Sequence, residues 1–134
     1  MAKIIIVEDD PFLLSILAEK FKEADFEIET AIDGEDGLNK IKSSNFDLVL
    51  LDMVLPKIDG FKILEELRDG NQAKKTSVIV LSNLYDKNSI DKAILLGAKD
   101  YIVKAYNTPE EIVFKIKSFL KKEGIKWLII KWKK

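Results

Sequence analysis

Leu48-Val49-Leu50-Leu51 is an unbroken apolar run that stops at the carboxylate of Asp52. It is too short for a helix and lacks polar alternation, so it reads as a strand buried on both faces. Similar runs lie at Ile4–Val7, ending in Glu8-Asp9-Asp10, and at Val78–Leu81, ending in Ser82; Ile102–Val103 is a shorter fourth that reaches Lys104. Phe26–Thr30 alternates instead, with Phe26, Ile28 and Thr30 on one side and Glu27 and Glu29 on the other. That pattern suits a strand with one wetter face or an edge position.

Helical stripes separate these runs: Leu14, Leu17 and Phe21; Leu38 and Ile41; Phe61, Leu64 and Leu67; Ile90, Ala93, Ile94 and Gly97; Ile112, Ile116, Phe119 and Leu120. The punctuation agrees. Asp10-Pro11 sets a capping carboxylate before a first-turn proline, Thr108-Pro109-Glu110-Glu111 adds a capping box, and Asp33-Gly34 and Asp59-Gly60 open the second and third helices. Strands separated by helices require crossover connections. The expected fold is therefore α/β, a doubly wound five-stranded parallel sheet with five flanking helices.

Composition narrows the chemistry. The 134 residues suffice for one domain, and 47% hydrophobic with 34% charged residues describes a soluble globular chain. Zero cysteines and zero histidines exclude thiolate nucleophiles, Cys- or His-ligated metals, His-dependent triads and a phosphohistidine carrier. No apolar run approaches the roughly 18 residues of a membrane span, and no secretory signal is apparent, so the expected location is cytoplasmic. Of the 22 basic residues eight follow residue 114, where Glu123 is the one acid; the body before it carries 14 basic against 22 acidic side chains. An acidic body is a poor match for a phosphate backbone, and direct DNA binding is not expected.

In a doubly wound sheet, ligands gather beyond the carboxyl ends of the strands. Glu8, Asp9, Asp10, Asp52, Ser82 and Lys104 all fall there. Clustered carboxylates repel, and a hard divalent cation together with a lysine keeps them ionised. An oxygen-only ligand set favours Mg²⁺, with Mn²⁺ as the substitute. Asp10, followed by Pro11, reads as a helix cap in preference to a ligand. Asp52 stands out because burying an unpaired carboxylate at the end of an apolar run is costly.

The motifs Ile4–Asp10, Leu50-Leu51-Asp52-Met53-Val54-Leu55-Pro56 with Asp59-Gly60, Val80-Leu81-Ser82, and Gly97-Ala98-Lys99-Asp100-Tyr101-Ile102-Val103-Lys104 resemble, in order and spacing, the receiver domain of bacterial two-component response regulators, over roughly residues 2–122. The resemblance implies a flavodoxin-like sheet of order 2-1-3-4-5, a receiver domain over 1–123 and a basic, Trp-containing extension over 124–134. It implies a chemotaxis-regulator-like, stand-alone phosphoacceptor switch and not an enzyme. Asp52 would accept a phosphoryl group from the phosphohistidine of a kinase or phosphotransfer protein. Asp9, Asp52 and the Met53 backbone carbonyl would ligate Mg²⁺, with Glu8 acting through water. Lys104 would neutralise phosphoryl oxygens, Ser82 would donate to them, and Ser82 and Tyr101 would form the switch. Output would pass to a downstream protein on the fourth helix, fifth strand and fifth helix, with a homodimer also allowed for.

Departures from the family pattern keep alternatives open. Ala105 stands where proline commonly follows the lysine, which points to a trans bond and a less firmly placed ammonium. Asn83 stands where a small residue is usual, and either narrows access or adds a hydrogen bond to phosphate. Val54 and Leu84 occupy positions that influence the hydrolytic water, and neither can hydrogen-bond it. The rivals are a pseudo-receiver that binds without phosphorylation, a haloacid-dehalogenase-type phosphohydrolase, which wants an acid where Val54 stands, and a flavodoxin-like electron carrier, which wants a phosphate loop after the first strand. Residues 125–134, with both tryptophans and four lysines, have three readings: packing on the domain or on a second copy, the stub of a linker, or contact with an anionic membrane surface.

Overall fold

The computed structural model describes residues 1–70 and 76–133, the stretch 125–133 by its backbone course alone. The order is β1 (Lys3–Val7), α1 (Pro11–Glu23), β2 (Glu27–Ala31), α2 (Gly34–Ser43), β3 (Leu48–Leu51), α3 (Gly60–Asp69), β4 (Ser77–Ser82), α4 (Lys87–Leu95), β5 (Asp100–Val103), a 3₁₀ turn (Lys104–Tyr106) and α5 (Pro109–Lys133). All strand pairings are parallel, in the order β2-β1-β3-β4-β5. The alternating segment thus forms an edge strand, as its pattern predicts.

Period-two alternation divides each strand between two cores. Ile5, Val7, Val49, Leu51, Val78 and Val80 face the layer of α2, α3 and α4, where Leu38, Ile41, Ile63, Leu64, Leu67 and Ala93 meet them. Ile4, Ile6, Leu48, Leu50, Ile79 and Leu81 face α1 and α5 through Leu14, Leu17, Phe21, Ile112 and Ile116. Each fully buried aliphatic side chain contributes about 1.5–3 kcal/mol of transfer free energy. A sheet covered on both sides therefore tolerates polar groups at its strand ends and not within its strands.

The caps follow the sequence. Asp10 accepts the backbone N–H groups of Phe12 and Leu13, Asp33 that of Asp36, and Asp59 that of Lys62. Thr108 and Glu111 exchange hydrogen bonds as a capping box, at 2.9 and 3.2 Å. The fourth stripe is corrected. Ala93 is the buried residue of α4, while Ile94 is 45% exposed and Leu95 85% exposed. Gly97 lies beyond the helix at φ 113°, where Gly97 N–H bonds to Ile94 and Ala98 N–H to Ala93. This left-handed turn ends the helix two residues before the periodicity suggests. At the other end of the chain α5 passes through Gly124 as continuous helix, so the boundary expected after residue 123 lies within it. The side chains of residues 125–134, on which the three readings of the extension depend, lie outside the described residues.

Two glycines bring backbone close to the loop that follows β3. A Cβ on Gly34 would lie 1.7 Å from the Ile58 carbonyl oxygen, and one on Gly60 would lie 2.4 Å from that of Asp52. Gly124 has open space instead. We expect Gly34→Ala to lower stability by about 1–3 kcal/mol through forced displacement of the loop. Gly124→Ala should raise stability by about 0.5–1 kcal/mol by removing backbone freedom within a helix. Urea midpoints at constant slope read both; equal midpoints for the two variants would contradict the packing described.

Candidate functional site

Strand register levels the carboxyl ends of four strands. Val7 pairs with Leu51, Leu51 with Val80, and Ser82 with Val103. The ladder extends one step further where Asp52 N–H bonds to Val7 and Glu8 N–H to Ala31. Glu8, Asp52, Ser82 and Lys104 consequently follow adjacent strand ends, at the point where β1 and β3 carry the chain in opposite directions across the sheet.

Among the described residues, Glu8, Asp52 and Ser82 are the buried polar ones, and Asp9 is exposed beside them. Oxygen atoms of Glu8, Asp9 and Asp52 lie within 4.8 Å of one another. Asp10 stands apart as the cap of α1, its backbone N–H donating to Glu8 Oε2 at 3.0 Å. The Lys104 side chain is 15% exposed, and its ammonium lies 2.7 Å from Asp52 Oδ2 and 2.6 Å from Glu8 Oε1. Burial works against the charge of that ammonium, but hydrogen bonds to Asp52 and Glu8 outweigh it and hold the pKa above the ordinary lysine value. Burial likewise pushes the Glu8 carboxyl up, against the opposing pull of Lys104. Each Glu8 oxygen thus has a donor beside it, the Lys104 ammonium at Oε1 and the Asp10 N–H at Oε2.

Three carboxylates whose oxygens converge within 4.8 Å, two of them buried, suit a hard cation. Oxygens around Mg²⁺ at 2.0–2.1 Å stand roughly 3 Å apart as neighbours and 4 Å across. A contraction of less than about 2 Å from the observed spacing would close the shell. Three carboxylates against one ammonium also leave excess negative charge, which a divalent ion balances.

Two expectations are corrected. The Met53 carbonyl is engaged by Gly60, accepting its N–H at 2.9 Å, and Met53 is buried and not among the residues that line the cavity. Val54, one residue on and 59% exposed, lines the cavity instead, with its N–H on Asp52 Oδ1 at 3.3 Å. The turn after Asp52 is pinned by Gly60, and that close approach left no pattern in the sequence beyond the glycine itself. The Lys104–Ala105 bond is trans, as expected, yet the ammonium is held by two carboxylates and is not loosely placed. Asn83 also does something unforeseen: its Oδ1 accepts Ala105 N–H at 3.0 Å.

Asp9, Asp52, Val54, Ser82, Asn83, Leu84 and Lys104 line a cavity of about 310 Å³. Two larger cavities border α5 and contain neither the buried carboxylates nor Ser82. Ser82 Oγ accepts Leu84 N–H at 3.3 Å, and a hydroxyl can donate while it accepts. The Tyr101 hydroxyl donates to the Leu84 carbonyl. Burial raises the Tyr101 pKa, and the nearby Ser82 hydroxyl acts in the opposite direction. Ser82 and Tyr101 thus hold the same residue of the β4–α4 loop, one from each side.

Comparison with known proteins agrees with this geometry. A family model described as the response regulator receiver domain matches residues 4–117. The response regulator ArlR of Staphylococcus aureus is 35% identical over 132 residues; the match covers 96% of this chain and 57% of ArlR, so the chain spans little more than half of that relative. A CheY-like response regulator receiver domain protein from Methanospirillum hungatei superposes with a TM-score of 0.85 at 26% identity, covering 94% of this chain and 98% of the other. The BeF3-activated DrrB receiver domain gives a TM-score of 0.78 at 35% identity, covering 90% and 98%; DrrB is a Thermotoga maritima OmpR/PhoB homolog. With the acidic strand ends and the half-buried lysine at one rim of a 2-1-3-4-5 sheet, the chain belongs to the receiver domains of two-component response regulators.

Proposed function

We propose that the chain is a phosphoacceptor switch in which Asp52 takes a phosphoryl group from a phosphohistidine kinase or phosphotransfer protein. The observation that carries this reading is Asp52 itself: a buried carboxylate at a cavity, facing an ammonium 2.7 Å away and a carboxylate cluster. An Asp52 oxygen attacks phosphorus and forms an O–P bond as the bond to the histidine nitrogen, or to the acyl oxygen of acetyl phosphate, breaks. The electron pair departs with that leaving group. Asp9 and Asp52 are the direct cation ligands in this proposal, Glu8 acts through water, and the backbone-carbonyl ligand is assigned to cavity-lining Val54 in place of Met53. Mg²⁺, or Mn²⁺, when bound supplies positive charge against the phosphoryl oxygens. Lys104 shifts its ion pair from Asp52 to a phosphoryl oxygen, and Ser82 donates a hydrogen bond to another.

The domain assists its own phosphorylation and dephosphorylation but turns over no separate substrate. Ser82 and Tyr101 are the switch in this reading, because displacement of Ser82 toward the phosphoryl group pulls the Leu84 backbone to which the Tyr101 hydroxyl is bonded. A downstream protein, or a second copy, docks on α4, β5 and α5; exposed Leu95 and Tyr106 favour that face. We assign residues 1–123 to the receiver and 124–134 to an extension, with action in the cytoplasm and without direct DNA contact by the receiver. No helix among the described residues is long and apolar enough to cross a membrane.

Incubation with acetyl phosphate and Mg²⁺ should add one phosphoryl group by intact mass, and chelation of the metal or Asp52→Asn should abolish the gain. A parent that gains nothing while binding a partner would favour the unphosphorylated pseudo-receiver. Because Val54 and Leu84 line the cavity and neither can orient water, the phosphorylated form should persist well beyond minutes in Mg²⁺ buffer. Val54→Asn should shorten its half-life several-fold; loss of phosphate from the parent within minutes would contradict this.

A further inference from the structure

Lys104 carries a long side chain with many rotamers. To serve a reaction at Asp52, its backbone must be fixed where the sheet no longer fixes it. The β4–β5 pairing ends at Ser82 and Val103, one residue before Lys104. A 3₁₀ turn over Lys104–Tyr106 follows, and first-turn N–H groups find no partner within their own turn. Asn83, the residue after Ser82, meets this need: its Oδ1 accepts the Ala105 N–H at 3.0 Å. The facing group is a donor, so the amide must present its oxygen. Two further contacts brace the same loops. Asn107 Nδ2 donates to the Val103 carbonyl at 2.8 Å, and the Tyr85 and Tyr106 rings meet at 5.7 Å between centroids.

We propose that Asn83 is a positioning residue for Lys104, acting through the Ala105 N–H and not through the phosphoryl group. The inference rests on the phosphoacceptor reading above. It makes Asn83 and Ala105 a matched pair: the bond exists only where residue 105 carries an N–H, which proline lacks. It also ties the Lys104 turn to the strand end that carries Ser82, so the ammonium and the hydroxyl address one phosphoryl group from a common frame.

The test combines Asn83→Ala, Ala105→Pro and their double variant, with initial phosphorylation rates from acetyl phosphate at saturating Mg²⁺ and amide hydrogen exchange at residue 105 by NMR. Asn83→Ala should remove protection of the Ala105 amide and slow phosphorylation roughly tenfold, with thermal midpoints close to the parent's. In the Ala105→Pro background, and in a Lys104→Met background, Asn83→Ala should change the rate by less than about twofold. The Lys104→Met arm decides the question alone if Ala105→Pro does not fold. An equal cost of Asn83→Ala in every background would mean direct contact with the phosphoryl group and would overturn the proposal, as would equally fast exchange of the Ala105 amide in parent and variant. A parent that gains no phosphoryl group defeats the phosphoacceptor reading instead, and the exchange measurement still decides whether Asn83 holds the turn.

Discussion

The contact on which the site depends is the Lys104 ammonium set between two buried carboxylates, 2.6 Å from Glu8 and 2.7 Å from Asp52. Desolvation of a lone buried charge costs several kcal/mol, and the ammonium offsets part of that cost for both side chains. The lysine arrives from β5, Glu8 from β1 and Asp52 from β3. The ion pairs therefore bind the two halves of the sheet together beyond their last backbone hydrogen bonds. They also leave the site short of positive charge. The remaining negative charge of the three clustered carboxylates is what makes the rim receptive to a cation.

Much of this was legible in the sequence, for a physical reason. Strands covered on both faces must be apolar throughout, so Leu48–Leu51 and Ile4–Val7 announce themselves, and whatever polar residue follows them lies at a rim. Glu8, Asp52, Ser82 and Lys104 could be located by that rule alone, before any resemblance was considered. Caps were equally readable, since Asp10-Pro11 and the Thr108–Glu111 box depend on contacts within a few residues. Phe26–Thr30 declared its edge position through Glu27 and Glu29.

What escaped the sequence depends on tertiary approach. Ile94 fits a stripe with Ala93, but the left-handed turn at Gly97 ends α4 and leaves Ile94 half in water. The Met53 carbonyl is claimed by Gly60, seven residues away across a loop whose path no periodicity encodes. The Asn83–Ala105 bond spans 22 residues and joins two loops, so neither residue alone signals it. Departures from a family pattern were the visible trace: two unusual residues far apart in the chain prove to be partners in space.

The sheet's margins have a further consequence. β2 at one side carries Glu27 and Glu29, and the four-residue β5 at the other begins with exposed Asp100. Short, charged borders of this kind discourage a neighbouring chain from adding a strand. Self-association by sheet extension is thereby disfavoured in either direction, so a partner would meet this molecule through side chains and not through an added strand.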